Sequence, residues 1–510
     1  MKKLLIIFPN AIDIATISNS VPILSGIAKH LGWKVEYFDT YDYKKNKKII
    51  QKEEGGGFKV STTFKIKERK KEFDQIPIDL QNIIDTFNPD IIAITALSSE
   101  YDFLMKFWNK IKVSKNTLVI IGGIHVTLVP EKTIETKLFD LVVLGEGEAT
   151  FKDILLRIEN NKEIHNIEGT YFYNRKTDKI TKNPKRYLLP AEKLWEIEND
   201  YSLFSDEFFE RPYDGKKIRR NEIEISRGCP FNCSYCSNSS LKLFNKGLGK
   251  YVKTKPINSS IMQMKRLVDD FKVDIFSLAD ECFLSHKTEW LKEFIKKYKE
   301  NVNKPYFFMT RPETVTEEKI ELLIDAGIPF QASIGVESGS EDILSNVCNR
   351  SCTPDHIRKA FKILNKYKVR TNAFFIVGFP FETREKVFKS INLAREIKPS
   401  VSSVSIFQPY PGQKLTQDCI NYKFFDGNEI PGTFTANSLL NMPKPYLSKD
   451  EIKNLWRVFM LYASLPKKYY PQIKRCEDDY ENNIELYKKL IKLRWNKYDW
   501  GEKKGDIKLI

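Results

Sequence analysis

Short apolar runs separated by amphipathic helices recur along most of this chain, and that alternation restricts it to α/β architecture. Over residues 1–158 the runs fall at 4–8, 35–39, 90–95, 117–122 and 141–145, with helical periodicity near 20–31, 77–87, 100–112, 130–137 and 148–159. Apolar runs this short, joined by helices, predict a parallel sheet covered on both faces, hence a doubly wound domain. The lysine-rich stretch 41–76, with "EEGGGFK", is too long for an ordinary connection and is expected to form a flap over a site. Residues 159–220 read as a polar connector with a hairpin at "EGTYFYNRKTDKIT". A second α/β series follows over 221–420, its strands near 222–226, 274–279, 306–310, 330–336, 371–378 and 402–408. Six βα units suggest a partial or open barrel rather than an eightfold one. Residues 421–510 are expected to be mainly helical ("LSKDEIKNLWRVFMLYASL").

The formal net charge of +16 raises the question of a nucleic-acid partner. The lysines, however, are spread over polar helix faces and do not interleave with aromatics in one stripe, so they read as a solvated surface. No apolar run approaches the roughly 20 residues a membrane-spanning helix needs. The opening "MKKLLIIFPN" breaks at Pro9-Asn10, too soon for a secretory h-region, and reads as a buried first strand. A cytoplasmic location is therefore expected, where thiols stay reduced and cysteine clusters hold metals or do redox work.

Ligands of open parallel sheets bind beyond the carboxyl ends of the strands. In the first domain those ends carry "TALSS", with Thr95, Leu97 and Ser98; "GGIH", with Gly122, Gly123 and His125; and "GEGE", with Gly145, Glu146 and Gly147. The glycines either make tight turns or let a bulky ligand approach the backbone. No G-x-G-x-x-G follows the first strand, which argues against a dinucleotide.

All eight cysteines lie beyond residue 228, and three crowd into "GCPFNCSYC" as Cys229, Cys233 and Cys236. They follow the first strand of the second series, at the end where barrel enzymes keep their chemistry. Three thiolates at this spacing can wrap one side of a metal cluster and leave a position open. A structural zinc would need a fourth ligand, and the nearest candidates, Cys282 and His286, lie far along the chain. Cys348 and Cys352 are too few for a second cluster and read as ordinary reduced cysteines, their roles and that of Cys282 open.

"CPFNCSYC" is C-x3-C-x2-C with an aromatic before the last cysteine, and it resembles the signature of the radical S-adenosylmethionine family. "FSLADECFL", "MTRPE", "SIGVESGSEDIL", "FFIVGFPFET" and "FQPYPGQKL" resemble the same family at successive strand ends. "IIGGIHVTLVPE" and "DLVVLGEGEAT" are similar to its cobalamin-binding branch, the class B methyltransferases among them, so the likeness covers roughly residues 1–420. The resemblance implies a Rossmann-like cobalamin domain followed by a partial barrel in which Cys229, Cys233 and Cys236 hold a [4Fe–4S] cluster. S-adenosylmethionine would chelate its open iron and yield a 5'-deoxyadenosyl radical.

The resemblance also gives the other strand-end residues roles. Asp280 and Glu281 would meet the amino group of S-adenosylmethionine, Arg311 its carboxylate, and Glu337 and Ser338 the ribose hydroxyls. Tyr235 and Ile376 would face adenine, with Gly378 allowing close approach. Because "FPNAIDIATIS" lacks the D-x-H-x-x-G of some cobalamin proteins, cobalt is expected to carry no histidine from below, and His125 to border the corrin or cap a helix. The implied activity is methyl transfer to an unactivated carbon or phosphorus of a small-molecule or peptide substrate, by way of methylcobalamin, with a reductase or flavodoxin-type electron donor. Two alternatives stand beside it: a cyclase or ring-rearranging enzyme with the same cofactors, and a non-catalytic corrinoid- or RNA-binding protein whose cluster is structural.

Overall fold

The computed structural model describes residues 1–12, 15–44, 71–213, 216–498, 500 and 506–509. The flap expected over 41–76 lies, at 45–70, outside the described residues. The first sheet contains β1 (Lys3–Phe8), β2 (Lys34–Asp39), β3 (Ile91–Thr95), β4 (Leu118–Gly122), β5 (Leu141–Val143), β6 (Thr170–Asn174) and β7 (Lys179–Lys182), in the order β2-β1-β3-β4-β5-β6-β7. β1 to β5 run parallel, and β6 and β7 add an antiparallel hairpin.

Alternation along β1 explains the layering. Leu4, Ile6 and Phe8 pack on one face with Val21, Ile27 and Ile154, whereas Leu5 and Ile7 pack on the other with Ile76, Leu80 and Leu104. Each fully buried side chain of this kind contributes about 1.5–3 kcal/mol. The strand order turns back between β1 and β3, which opens a crevice at their carboxyl ends.

The second sheet contains β8 (Glu210–Tyr213), β9 (Lys216–Glu224), β12 (Ile275–Ala279), β13 (Tyr306–Thr310), β14 (Phe330–Glu337), β15 (Arg370–Val377) and β16 (Val401–Ile406). A separate short ribbon joins β10 (Ser226–Arg227) to β11 (Lys253–Thr254). The order β16-β15-β14-β13-β12-β9-β8 makes six consecutive parallel strands with β8 antiparallel at the edge, an open half-barrel.

Register shows which side chains share the inner face. Ile218, Ile275 and Phe307 cluster at its amino-terminal end with Leu509, from the very end of the chain. Farther up, Ser277, Gln331, Ser333, Asn372 and Ser405 fall on that same face, while the intervening residues pack under the helices. Helix Lys449–Ser464 covers the β16 side: Ser448 and Glu451 cap it reciprocally, and Trp456 Nε1 donates to the Val404 carbonyl at 2.7 Å.

The stretch 159–220, expected as a free connector, is instead shared between the sheets. Its hairpin extends the first sheet through pairing of β6 with β5, and its last residues form β8 and the start of β9.

Candidate cofactor sites

The cysteine loop leaves β10 through Gly228, whose φ is +84° and where a Cβ would meet the Tyr251 carbonyl oxygen at 2.7 Å, so a side chain is excluded. Its backbone is pinned from several sides. Ser239 Oγ donates to the carbonyls of Cys233 (2.8 Å) and Cys236 (2.7 Å), Lys242 Nζ to that of Pro230 (2.8 Å), and Asn349 Nδ2 to that of Asn232 (2.8 Å). The three thiols stay half-buried and unpaired with one another. Burial pushes the Cys229 thiol up to about 12 and that of Cys236 up to about 11.

Arg311 Nη1 donates to Cys233 Sγ at 3.2 Å, and its guanidinium lies 3.8 Å over the Phe231 ring. A cation donating to sulfur suits a thiolate. Among the described residues no three metal-binding side chains converge on a single point. One ion needs such convergence, whereas thiolates on a four-iron cluster each meet a different iron. Three free thiols on one loop, one of them beside a guanidinium, are a donor set that fits a cluster.

The residues expected around S-adenosylmethionine gather at the carboxyl ends of β9 and β12 to β15, but several are already engaged. Asp280, 3% exposed, accepts from the Cys282 amide (2.9 Å) and sits 2.6 Å from His286 Nε2, so it braces its own loop. Its neighbour Glu281 reaches solvent within a surround of protein that pushes its carboxyl pKa upward. Arg311 also donates through Nε to Glu313 Oε1 at 2.7 Å, so a carboxylate of its own loop already holds its guanidinium. Ser338 Oγ lies 3.3 Å from Ser390 Oγ and accepts from the Ser340 amide at 3.1 Å, holding a turn. Gly378, at φ +80°, is required because a Cβ would meet Ile452 Cγ2 at 2.8 Å, a reason set by helix Lys449–Ser464 and not by a ligand. Ile376 is half-buried on the inner face, and Tyr235 packs edge-on to Phe379 at 5.6 Å.

Arg350, which no motif singled out, organises this cluster. It donates to Glu337 Oε1 (2.8 Å), to Tyr235 Oη (3.1 Å) and to the Gly335 carbonyl (2.8 Å). Glu337 is thereby held at φ +64° with one carboxylate oxygen spoken for.

In the first domain, Thr95 ends β3 and accepts from Ser20 Oγ at 3.0 Å. Leu97, 48% exposed, precedes the helix Ser98–Trp108. Gly122 ends β4, and Gly123, at φ +112°, brings its backbone so near that a Cβ would meet the Ala96 carbonyl oxygen at 2.5 Å. His125 is buried, 3.0 Å from Ser98 Oγ and stacked 4.2 Å from Tyr101, and burial lowers its pKa to about 4. Gly145, at φ +71°, donates to Thr127 Oγ1 at 3.0 Å, and Gly147 opens a helix with free space beside it.

The two acids of "GEGE" face the barrel. Glu146 pairs with Lys253 at 2.5 Å and lies 3.8 Å from Arg227; Glu148 accepts from Arg227 at 2.7 Å, and Arg227 also pairs with Glu224 at 2.8 Å. These pairs dock the carboxyl end of the first sheet onto that of β9. Below them, at the β1/β3 crevice, opens a cavity of about 500 Å³.

A half-barrel with a three-thiol loop at its strand ends, docked against a doubly wound sheet, defines a radical enzyme joined to a cofactor-binding domain. Residues 223–394 match the Radical SAM superfamily, and residues 53–155 match the B12 binding domain. An uncharacterized methyltransferase of Pyrococcus horikoshii is 29% identical over 67% of this chain and 72% of its own length. The anaerobic magnesium-protoporphyrin IX monomethyl ester cyclase of Rubrivivax gelatinosus is 24% identical over 66% of this chain and 59% of its own. The fold is similar to that of the radical S-adenosylmethionine methyltransferase TsrM from Kitasatospora setae, with a TM-score of 0.65 and 13% identity over 97% of this chain and all of the other. Together the two matches identify a radical S-adenosylmethionine domain and a cobalamin-binding domain in this chain, whose cofactors are a [4Fe–4S] cluster, S-adenosylmethionine and cobalamin. No described helix is long and apolar enough to cross a membrane.

Proposed function

We propose that this enzyme transfers a methyl group to an unactivated carbon, or to phosphorus, of a small-molecule or peptide substrate. The observation that carries the reading is the ion-paired docking of the two strand-end surfaces, Glu146 and Glu148 against Arg227 and Lys253. Transfer between two cofactors needs their reacting faces held close, and a fixed interface provides that. The likeness to a protein named a methyltransferase points the same way. The likeness to an ester cyclase favours a second reading, cyclisation or ring rearrangement without methyl transfer.

In this reading Cys229, Cys233 and Cys236 hold the cluster. When bound, the cofactors supply an adenosyl carbon radical and a transferable methyl group. Arg311 donates to the Cys233 sulfur, and Glu281, more exposed than Asp280, takes the amino group in its place. Tyr235 and Ile376 flank adenine, and Arg350 orients Glu337 toward the ribose. Thr95, Leu97, Gly122, Gly123 and Gly145 border the corrinoid, while His125, tied to Ser98 and Tyr101, stays off cobalt. The polar inner face of the half-barrel, Ser277, Gln331, Ser333, Asn372 and Ser405, supports a polar substrate. Electrons come from a flavodoxin-type protein or a reductase.

The test needs no substrate. Protein loaded anaerobically with all cofactors is incubated with reductant and methyl-labelled S-adenosylmethionine. Methyl transfer predicts S-adenosylhomocysteine, with label leaving S-adenosylmethionine in equal amount. 5'-Deoxyadenosine and methionine with no S-adenosylhomocysteine would overturn the reading in favour of the cyclase type.

A further inference from the structure

The cavity of about 500 Å³ has two unlike walls. One is the cofactor domain: Phe8 at the end of β1, Thr95 and Ala96 after β3, Gly123 after β4, and Asn19 and Ser20 at the start of helix Ser20–His30, which has no side-chain cap. The other wall is the radical domain, and it is charged. Arg211 on β8 and Arg220 and Glu222 on β9 line it together with Asn221.

Pairing places Arg211 opposite Ile218, so Arg211 and Arg220 lie on one face, two like charges side by side. The carboxylates at hand are poor partners for both. Glu222 approaches Arg220 only to 3.6 Å, and Glu100, across the cavity, is spent on the Leu97 amide, with burial raising its pKa to about 7. Arg211 donates to the Glu210 carbonyl. Asn221 is 4% exposed, and neither atom of its side-chain amide has a hydrogen-bond partner. By the same alternation Asn221, which pairs with Phe276, points to the other face of β9, so its amide is no part of the arginine face. Like-charged guanidiniums facing an uncapped helix start describe an anion site.

We infer that Arg211 and Arg220 bind the phosphodiester of cobalamin's nucleotide tail, so that the radical domain as well as the cobalamin domain grips the cofactor. The inference rests on cobalamin being the occupant of the β1/β3 crevice. It gives the first hairpin of the half-barrel a role in cofactor retention and makes loading depend on both domains being docked.

Cobinamide shares the corrin ring and lacks the nucleotide tail, so it isolates the contribution of this site. Equilibrium binding of cobalamin and of cobinamide is read from the visible spectrum on the full chain, with iron content as the check on folding. Wild-type protein is expected to bind cobalamin at least tenfold more tightly than cobinamide. Combining Arg211→Gln with Arg220→Gln should remove most of that preference by weakening cobalamin alone, and Arg211→Lys with Arg220→Lys should restore part of it at full iron content. Glutamine and lysine variants that both keep the wild-type preference would overturn the inference and assign the arginine pair to an anionic group of the substrate instead. Wild-type protein that binds neither corrinoid would overturn the cobalamin reading itself, and the inference with it.

Discussion

Glu382 has no surface at all, yet it is an acid. One carboxylate oxygen accepts from the Gly378 amide at 2.6 Å, the other has no partner, and burial raises its pKa to about 8. Folded protein therefore keeps this proton over a range in which unfolded chain has lost it. Stability from this group is full below about pH 4 and declines as pH rises toward about 8. Glu382→Gln should flatten that decline, read as melting temperature between pH 5 and 8; an unchanged slope would mean the acid is ionised in the fold. His125 makes the opposite case, since its depressed pKa keeps it neutral and its Nδ1 faces Ser98. The paramagnetic resonance spectrum of the reduced, cobalamin-loaded protein should carry no nitrogen coupling from a protein histidine, and His125→Gln should leave it unaltered. A coupling abolished by that substitution would make His125 a cobalt ligand.

At the scale of elements, the strands were readable because parallel strands are buried on both faces and appear as plain apolar runs. β13 was expected and found at the same residues, and β3 and β12 within one residue at an end. The cysteine loop was readable because its chemistry is local. The contacts that join distant segments were not. Glu146 and Glu148, in a glycine-rich turn, look like ligand residues, and only the fold brings Lys253 and Arg227 to them across 107 and 79 positions. Arg350 was missed for the same reason, since Tyr235 and Glu337 lie on other elements. Lys253 is 2% exposed, and burial already pushes the Glu146 carboxyl pKa up against the pull of Arg227 and Lys253. Lys253→Met should thus cost about 3 kcal/mol, seen as a lowered unfolding midpoint, because it leaves a largely buried acid with Arg227 alone, at 3.8 Å. Loss within 0.5 kcal/mol would show the pair to be incidental.

At the scale of the molecule, the chain's last described residues close the amino-terminal end of the half-barrel, with Leu509 against Ile218, Ile275 and Phe307, while helix Lys449–Ser464 covers its β16 side. Closure at the bottom and flank leaves the carboxyl end, where the thiols and the docked cofactor domain meet, as the working end. That a single chain brings both cofactors to this end is the core of the account. Iron and corrin content, measured in one sample of anaerobically reconstituted protein supplied with cobalamin, test it most directly. The account predicts about four irons and about one corrin per chain; four irons with no retained corrin would contradict it.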